Sequence, residues 1–91
     1  MISVKEAYNK VLHRLPDNIE IDLCREMENS YVFMIKYKDH AERAPGMIIY
    51  EVKKESGEVG HLKTFDPSWK NPYHIQEVLL KAPLVDISDL R

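Results

Sequence analysis

Residues 44–65, APGMIIYEVKKESGEVGHLKTF, decide the fold of this chain, because they place two apolar segments on either side of a short turn. Apolar and polar residues alternate in these segments, as they do in β-strands that expose one face. Gly57 suits the left-handed conformation that a three-residue turn requires, because it has no Cβ to clash. The stretch is therefore predicted to form a β-hairpin in which Lys54 lies opposite Glu58.

The predicted register gives this hairpin two different faces. One face brings together Ile48, Tyr50, Val52 and Leu62. The reverse face is polar in its middle and apolar at one end, and contiguous exposed apolar side chains tend to mark binding sites. We therefore expect a partner protein, or a second copy of the chain, to bind the reverse face. The contact residues predicted there are Met47, Ile49, His61 and Phe65.

The sequence before the hairpin predicts one helix and two strands. Apolar residues between 4 and 15 recur with helical spacing, Ser3 and Glu6 match a capping box, and Pro16 ends the helix. Residues 19–28 alternate between apolar and charged, and YVFMIKYK at 31–38 is aromatic and β-branched, which indicates two paired strands. A three-residue loop at 29–31 is favoured, because a two-residue loop at 29–30 would mix carboxylates with aromatic rings.

The sequence after the hairpin predicts a second helix. Asn71 can cap it with Pro72 in the first position, an apolar stripe runs from 75 to 82, and Pro83 ends it. The tail LVDISDLR either adds a short edge strand or lies against the domain. The order α-β-β-β-β-α predicts one α+β domain over 1–91, with an antiparallel four-stranded sheet and both helices packed on one face.

Composition excludes several classes of function. The 13 basic and 15 acidic residues give a net charge of −2, so the chain lacks the positive field that nucleic-acid binding requires. No segment approaches the roughly 18 apolar residues that a membrane span needs, and the N-terminus does not resemble an export signal. Cys24 is the single cysteine, which excludes an intrachain disulfide and favours the reducing cytoplasm.

No residue pattern predicts catalysis, a metal or a cofactor. The four histidines lack the i, i+4 spacing of helical metal ligands, and the group Asp39, His40 and Glu42 is interpreted as a solvated loop. The predicted alternation places Cys24 among carboxylates, which disfavour the reactive thiolate. None of the three glycines opens a helix, so no phosphate-binding loop is expected. The chain is therefore not expected to be an enzyme.

Two further surfaces are candidates for partner binding. Glu20, Asp22 and Glu26 follow the polar face of the first strand, where they form either a solvated surface paired with lysines across the ladder or an acidic docking stripe. Trp69 lies near Tyr73 and two prolines. This aromatic cluster either covers the edge of the core or serves as a binding anchor, a role in which Trp and Tyr are enriched.

The opening helix with EAYNKVL, the aromatic strand YVFMIKY, the proline before an apolar strand and the turn SGEV occur here in that order. Over residues 3–80 this order resembles the small bacterial Immunity protein 35 family, which includes a YrhB-like branch described as a chaperone. The sequence NSYVF stands where that family has a Gly-Trp pair. A fainter similarity runs to PepSY-like domains. The first resemblance implies a bacterial cytoplasmic protein that binds and neutralises a toxin, without catalytic residues.

The sequence as a whole predicts a small cytoplasmic protein-interaction module. The alternative is a small-ligand-binding domain or small enzyme, with a pocket between the sheet and the helices near Tyr50, Trp69 and His74.

Overall fold

The computed structural model describes residues 1–39 and 48–90. The elements are α1 (Val4–Leu12), β1 (Ile19–Glu26), β2 (Ser30–Tyr37), β3 (Ile49–Lys53), β4 (Val59–His61), α2 (His74–Lys81) and β5 (Leu84–Val85). The strands form one antiparallel sheet in the order β4-β3-β2-β1-β5. The α+β class is therefore confirmed. The sheet has five strands rather than four, because the tail after α2 pairs with β1.

The first helix begins as the sequence predicts. The Oγ of Ser3 accepts the backbone N–H of Glu6 at 3.2 Å, which satisfies one of the donors left unpaired in the first turn. Ala7, Tyr8 and Val11 lie on the buried side of α1. Within the described ranges, neither helix has the length and apolar content needed to cross a membrane.

A β-bulge at Asp22 divides β1 into two halves. On one side of the bulge Ile21 lies opposite Ile35, and on the other side Leu23 lies opposite Met34. Because the extra residue shifts the alternation of side chains by one, Leu23 points to the face opposite that of Ile21. The alternation of residues 19–28 predicts a regular strand with Ile21 and Leu23 on the same face, and that prediction is wrong.

The loop between β1 and β2 is shorter than predicted. The backbone N–H of Met27 donates to the carbonyl of Ser30 at 2.9 Å, so two residues connect the strands and the expected three-residue loop at 29–31 is wrong. With this register and the bulge, Cys24 lies opposite Phe33 and is fully buried. Its predicted place on an acidic face is therefore wrong as well.

The sheet has a separate apolar cluster on each face. The larger cluster, on the side that we call the α1 face, consists of Ala7, Tyr8, Val11, Ile21, Cys24, Phe33, Ile35, Val52 and Ile87. The smaller cluster, on the α2 face, consists of Val32, Met34 and Leu79, with Leu23, Met27, Ile49 and Leu62 packed around them.

The two helices cover opposite faces of the sheet. Successive residues of β2 alternate between the two clusters. Buried residues of α1 belong to the larger cluster, and Leu79 of α2 belongs to the smaller one. The prediction that both helices pack on one face is therefore wrong. The bulge explains the difference, because it supplies apolar side chains from β1 to both faces, and each face must then be covered.

The β3–β4 hairpin also differs by one residue from its predicted register. Gly57 adopts the predicted left-handed conformation, with φ of 71°. However, the backbone N–H of Lys53 donates to the carbonyl of Glu58 at 2.9 Å, so the turn has four residues. The shift places His61 opposite Tyr50, on the α1 face, whereas Ile49 belongs to the cluster on the α2 face.

The two glycines of this hairpin form a matched pair for testing the turn. Gly57→Ala is expected to lower the free energy of unfolding by about 1–2 kcal/mol, because a Cβ strains the left-handed conformation. That Cβ would also lie 3.1 Å from Lys10 Nζ and 3.3 Å from Ile2 Cγ2. A Cβ added at Gly60 would meet open space. Gly60→Ala should therefore change the free energy of unfolding by no more than about 0.5 kcal/mol, with both variants measured by urea titration. Equal losses in the two variants would contradict the turn geometry.

Candidate functional site

Helix α2 covers its face of the sheet incompletely. Of its eight residues only Leu79 is buried, whereas Val78 is 39% exposed and Leu80 is 62% exposed. Asn71, the predicted cap, accepts the backbone N–H of Tyr73 at 3.2 Å through its Oδ1. Tyr73 precedes the first helical residue, His74, so this hydrogen bond does not cap the helix. The helix therefore has little buried area and no side-chain cap at its first turn.

Arg25 attaches the other end of α2 to the sheet. Its Nη1 donates to the carbonyl oxygens of Ala82 at 2.8 Å and Leu80 at 3.5 Å. A cation at this position compensates unpaired carbonyls and the negative end of the helix dipole. This contact holds the C-terminal end of α2 beside β1.

An open groove of about 780 Å³ separates α2 from the end of the β1–β2 hairpin. We call it the α2 groove. Its apolar lining consists of Met27, Ile75, Val78, Ala82 and Pro83. A cavity of this volume falls within the range of small-molecule and side-chain binding sites, which are mostly apolar with a few placed polar groups.

Polar residues also line the α2 groove, and they are Glu26, Glu28, Asn29, Ser30, Glu51, His74 and Lys81. Two of them, Ser30 and Glu51, belong to paired strands. Ser30 of β2 is only 5% exposed. Its hydroxyl donates to Glu51 Oε2 on β3 at 3.0 Å, and both residues line the groove. Buried polar groups are retained only when hydrogen-bonded, so this bond fixes the carboxylate in place.

The carboxylates predicted as an acidic stripe do not form one surface. Glu20 and Asp22 contact Lys36 Nζ at 3.6 and 3.7 Å. Glu26 instead contacts Lys54 Nζ at 2.7 Å. The bulge separates the two groups, because Glu20 precedes it and Glu26 follows it with the alternation shifted. The alternative reading, in which lysines neutralise these carboxylates across the sheet, agrees with these contacts.

The residues predicted for the hairpin surface are only partly brought together. Ile49 is half-buried in the α2-face cluster, and the ring of His61 lies 5.3 Å from that of Tyr50 on the other face. Ile49 and His61 nevertheless border the same depression, of about 310 Å³, at the β4 edge of the sheet. Phe65 is exposed and lies against the ring of Tyr73 at 5.0 Å. Met47 lies outside the described residues.

Trp69 lies next to the α2 groove. It is half-buried and lines a pocket of about 580 Å³ together with Lys70, Asn71, His74 and Ile75. His74 and Ile75 also line the α2 groove, so the two cavities adjoin at the start of the helix. The predicted combination of Trp69 and His74 is therefore present, but Tyr50 lies on the other face of the sheet.

The chemistry of Cys24 is governed by its burial. The thiol is fully buried, and burial raises its pKa to about 12, with a smaller contribution from the negative charge of Glu26. A thiol that holds its proton so strongly is a poor nucleophile at neutral pH. Across the described residues, no three His, Cys, Asp or Glu side chains gather as metal ligands would.

A thiol reagent should distinguish folded from unfolded protein. At pH 8 we expect Cys24 to react at least about a hundredfold faster in concentrated urea than in buffer, because folding both buries the sulfur and suppresses the thiolate. Since the folded pKa lies above the unfolded value of about 9.0, this group's contribution to stability is complete below pH 9 and is lost as the pH rises toward 12. Cys24→Ala should lack that part of the pH dependence. Rapid labelling of the native protein would contradict the burial.

Comparison of the chain with protein-family models, curated proteins and solved structures returned no match.

Proposed function

We propose that this chain is a protein-interaction module that binds another protein over α2 and the α2 groove. The observation that supports this proposal is the incomplete cover of the α2 face, where a half-covered sheet adjoins exposed apolar side chains of α2 and the β5 segment. Val78 borders the groove, and Leu80 and Leu84 are more than half exposed. Apolar surface of this kind is favourable to bury against a partner.

The location of the proposed surface differs from the one expected from the sequence. Ile49 is half-buried against the α2-face cluster, whereas four exposed apolar residues lie on α2 or next to it, namely Tyr73, Val78, Leu80 and Leu84. Phe65 and Trp69 lie at the edge of the proposed surface. The ring of Phe65 contacts that of Tyr73, and Trp69 lines a pocket together with His74. Binding and neutralising a toxin, as in immunity proteins, is the specific form of this proposal that the family resemblance favours.

A matched pair of lysine substitutions tests the surface. Val78 on α2 and Leu12 on α1 have nearly equal exposure, 39% and 40%, but their helices cover opposite faces of the sheet. Val78→Lys should weaken capture of the partner by at least about tenfold, because a charge would be buried in the contact. Leu12→Lys should leave capture unchanged. Quantitative affinity purification of tagged full-length variants from the native host provides the measurement.

The reverse result would relocate the surface. If Leu12→Lys abolished capture while Val78→Lys did not, the partner would bind the α1 side.

Sedimentation velocity tests whether the partner is a second copy of the chain. A dimer formed across α2 in the wild-type chain should dissociate in the Val78→Lys variant and persist in Leu12→Lys.

A second candidate function, binding of a small ligand, is favoured by the pocket of about 580 Å³ beside Trp69. Trp69 is the single tryptophan of the chain, so its fluorescence reports on this pocket alone. A ligand that fills the pocket should change Trp69 emission and raise the thermal midpoint with increasing concentration. If a compound from a metabolite library raised the thermal midpoint of unfolding without altering Trp69 emission, its binding site would lie elsewhere.

A further inference from the structure

Glu51 is unusual among the carboxylates of the sheet. Glu20 and Asp22 share Lys36, and Glu26 contacts Lys54. In the described part of the chain, the Glu51 side chain accepts a hydrogen bond from the neutral hydroxyl of Ser30. Glu51 is nevertheless half-buried, and it lines a groove whose apolar residues are accompanied by two further carboxylates, Glu26 and Glu28. Among the described residues, no ion pair joins Glu51 to a basic side chain.

We infer that the α2 groove receives a lysine or arginine side chain from the bound partner, and that the Ser30–Glu51 pair holds its charged end. This inference rests on the proposed function, because the partner is the protein that covers α2. Docking over the groove removes water from Glu51. A buried carboxylate is tolerated only when it is paired and hydrogen-bonded, so the covering surface must supply a cation.

The geometry suits a basic side chain in particular. Ser30 occupies one direction of Oε2, which leaves further acceptor positions on both carboxylate oxygens for an ammonium or guanidinium group. Met27, Ile75 and Val78 can contact the aliphatic stem, since long basic side chains pack their methylene groups on apolar surface. Because Ser30 and Glu51 belong to paired strands, the acceptor is held in place before the partner arrives.

Lys81 is the basic side chain of this chain that lines the same groove. It is exposed at the last turn of α2, and no ion pair joins it to Glu51 among the described residues. Lysine at a helix C-terminus is favoured by the helix dipole, which accounts for its position without Glu51. Replacing Lys81 therefore should not weaken the binding of an added cation.

A pair of small probes isolates the charge. n-Butylguanidinium and n-butylurea have the same shape, but only the first is charged. In two-dimensional NMR titrations of the full chain, n-butylguanidinium should shift the amide signals of Ser30, Glu51 and Val78 and bind at least about tenfold more tightly than n-butylurea. Glu51→Gln should abolish this preference, and Lys81→Gln should preserve or increase it. Glu58→Gln, which removes an exposed carboxylate of the β3–β4 hairpin, should leave it unchanged.

A third probe tests whether the groove is suited to a side chain of a protein or to a free small cation. The peptide acetyl-Ala-Arg-Ala-amide should bind more tightly than n-butylguanidinium, because its backbone and flanking residues cover the exposed rim at Val78 and Pro83. Equal affinity would assign the groove to a free cation and overturn the inference of a partner's side chain.

Other outcomes would overturn the inference while leaving protein binding intact. Equal binding of n-butylguanidinium and n-butylurea would show that the groove accepts apolar groups irrespective of charge. Retention of the preference in Glu51→Gln would place the cation elsewhere. Because the probe comparison is made on the wild-type chain, poor folding of a variant does not affect it. The capture experiment with Val78→Lys and Leu12→Lys fails or succeeds independently of these titrations.

Discussion

The extra residue at Asp22 is the constraint on which the arrangement of the sheet depends. A regular β1 would direct Ile21 and Leu23 to the same face and Cys24 to the other. The bulge instead directs Ile21 and Cys24 into the α1-face core and Leu23 to the α2 face. Since a one-residue change of register moves every later side chain across the sheet, this single insertion decides what both helices must cover.

A sheet with two apolar faces is demanding for a chain of 91 residues. The α1 face has a continuous core formed by α1, the three central strands and Ile87. The α2 face has fewer buried residues, and the short helix above it buries only Leu79. Small domains bury a smaller fraction of their surface than large ones, so an under-covered face is physically reasonable. It also leaves apolar area available for a partner.

Electrostatics distinguishes the α2 groove from the rest of the sheet. The carboxylates of β1 are neutralised by lysines from neighbouring strands, and such partly exposed pairs contribute little to stability, about 0–1 kcal/mol each. Glu51 is instead held by a buried hydroxyl at the floor of an open recess. The two proposals are thus connected, because the surface that offers apolar area also contains this carboxylate.

Several elements were predictable because their causes are local. Ser3 and Glu6 define the start of α1 through a contact three residues apart, and the left-handed turn at Gly57 follows from the absence of a Cβ. Hydrophobic alternation, together with the aromatic and β-branched composition of residues 31–38, identified the four longer strands. Of the three residues predicted to lie near one pocket, Trp69 and His74 line a common cavity, whereas Tyr50 lies on the other face of the sheet.

The faces of the sheet could not be predicted in the same way. Bulges and loop lengths are set by pairing between distant strands, and an error of one residue reverses the face of every side chain beyond it. That is why Cys24 and His61 were assigned to the wrong surroundings. The Ser30–Glu51 pair was missed for the same reason, since 21 residues separate its members and only β2–β3 pairing brings them together.

The sequence by itself therefore determined the helices, most strands, the left-handed conformation of Gly57 and the α+β class, since these depend on propensity and periodicity over a few residues. Tertiary structure alone decided that the helices lie on opposite faces, that β5 completes the sheet, and that Ser30 and Glu51 meet in the α2 groove. These features depend on register between strands, which local patterns constrain only weakly.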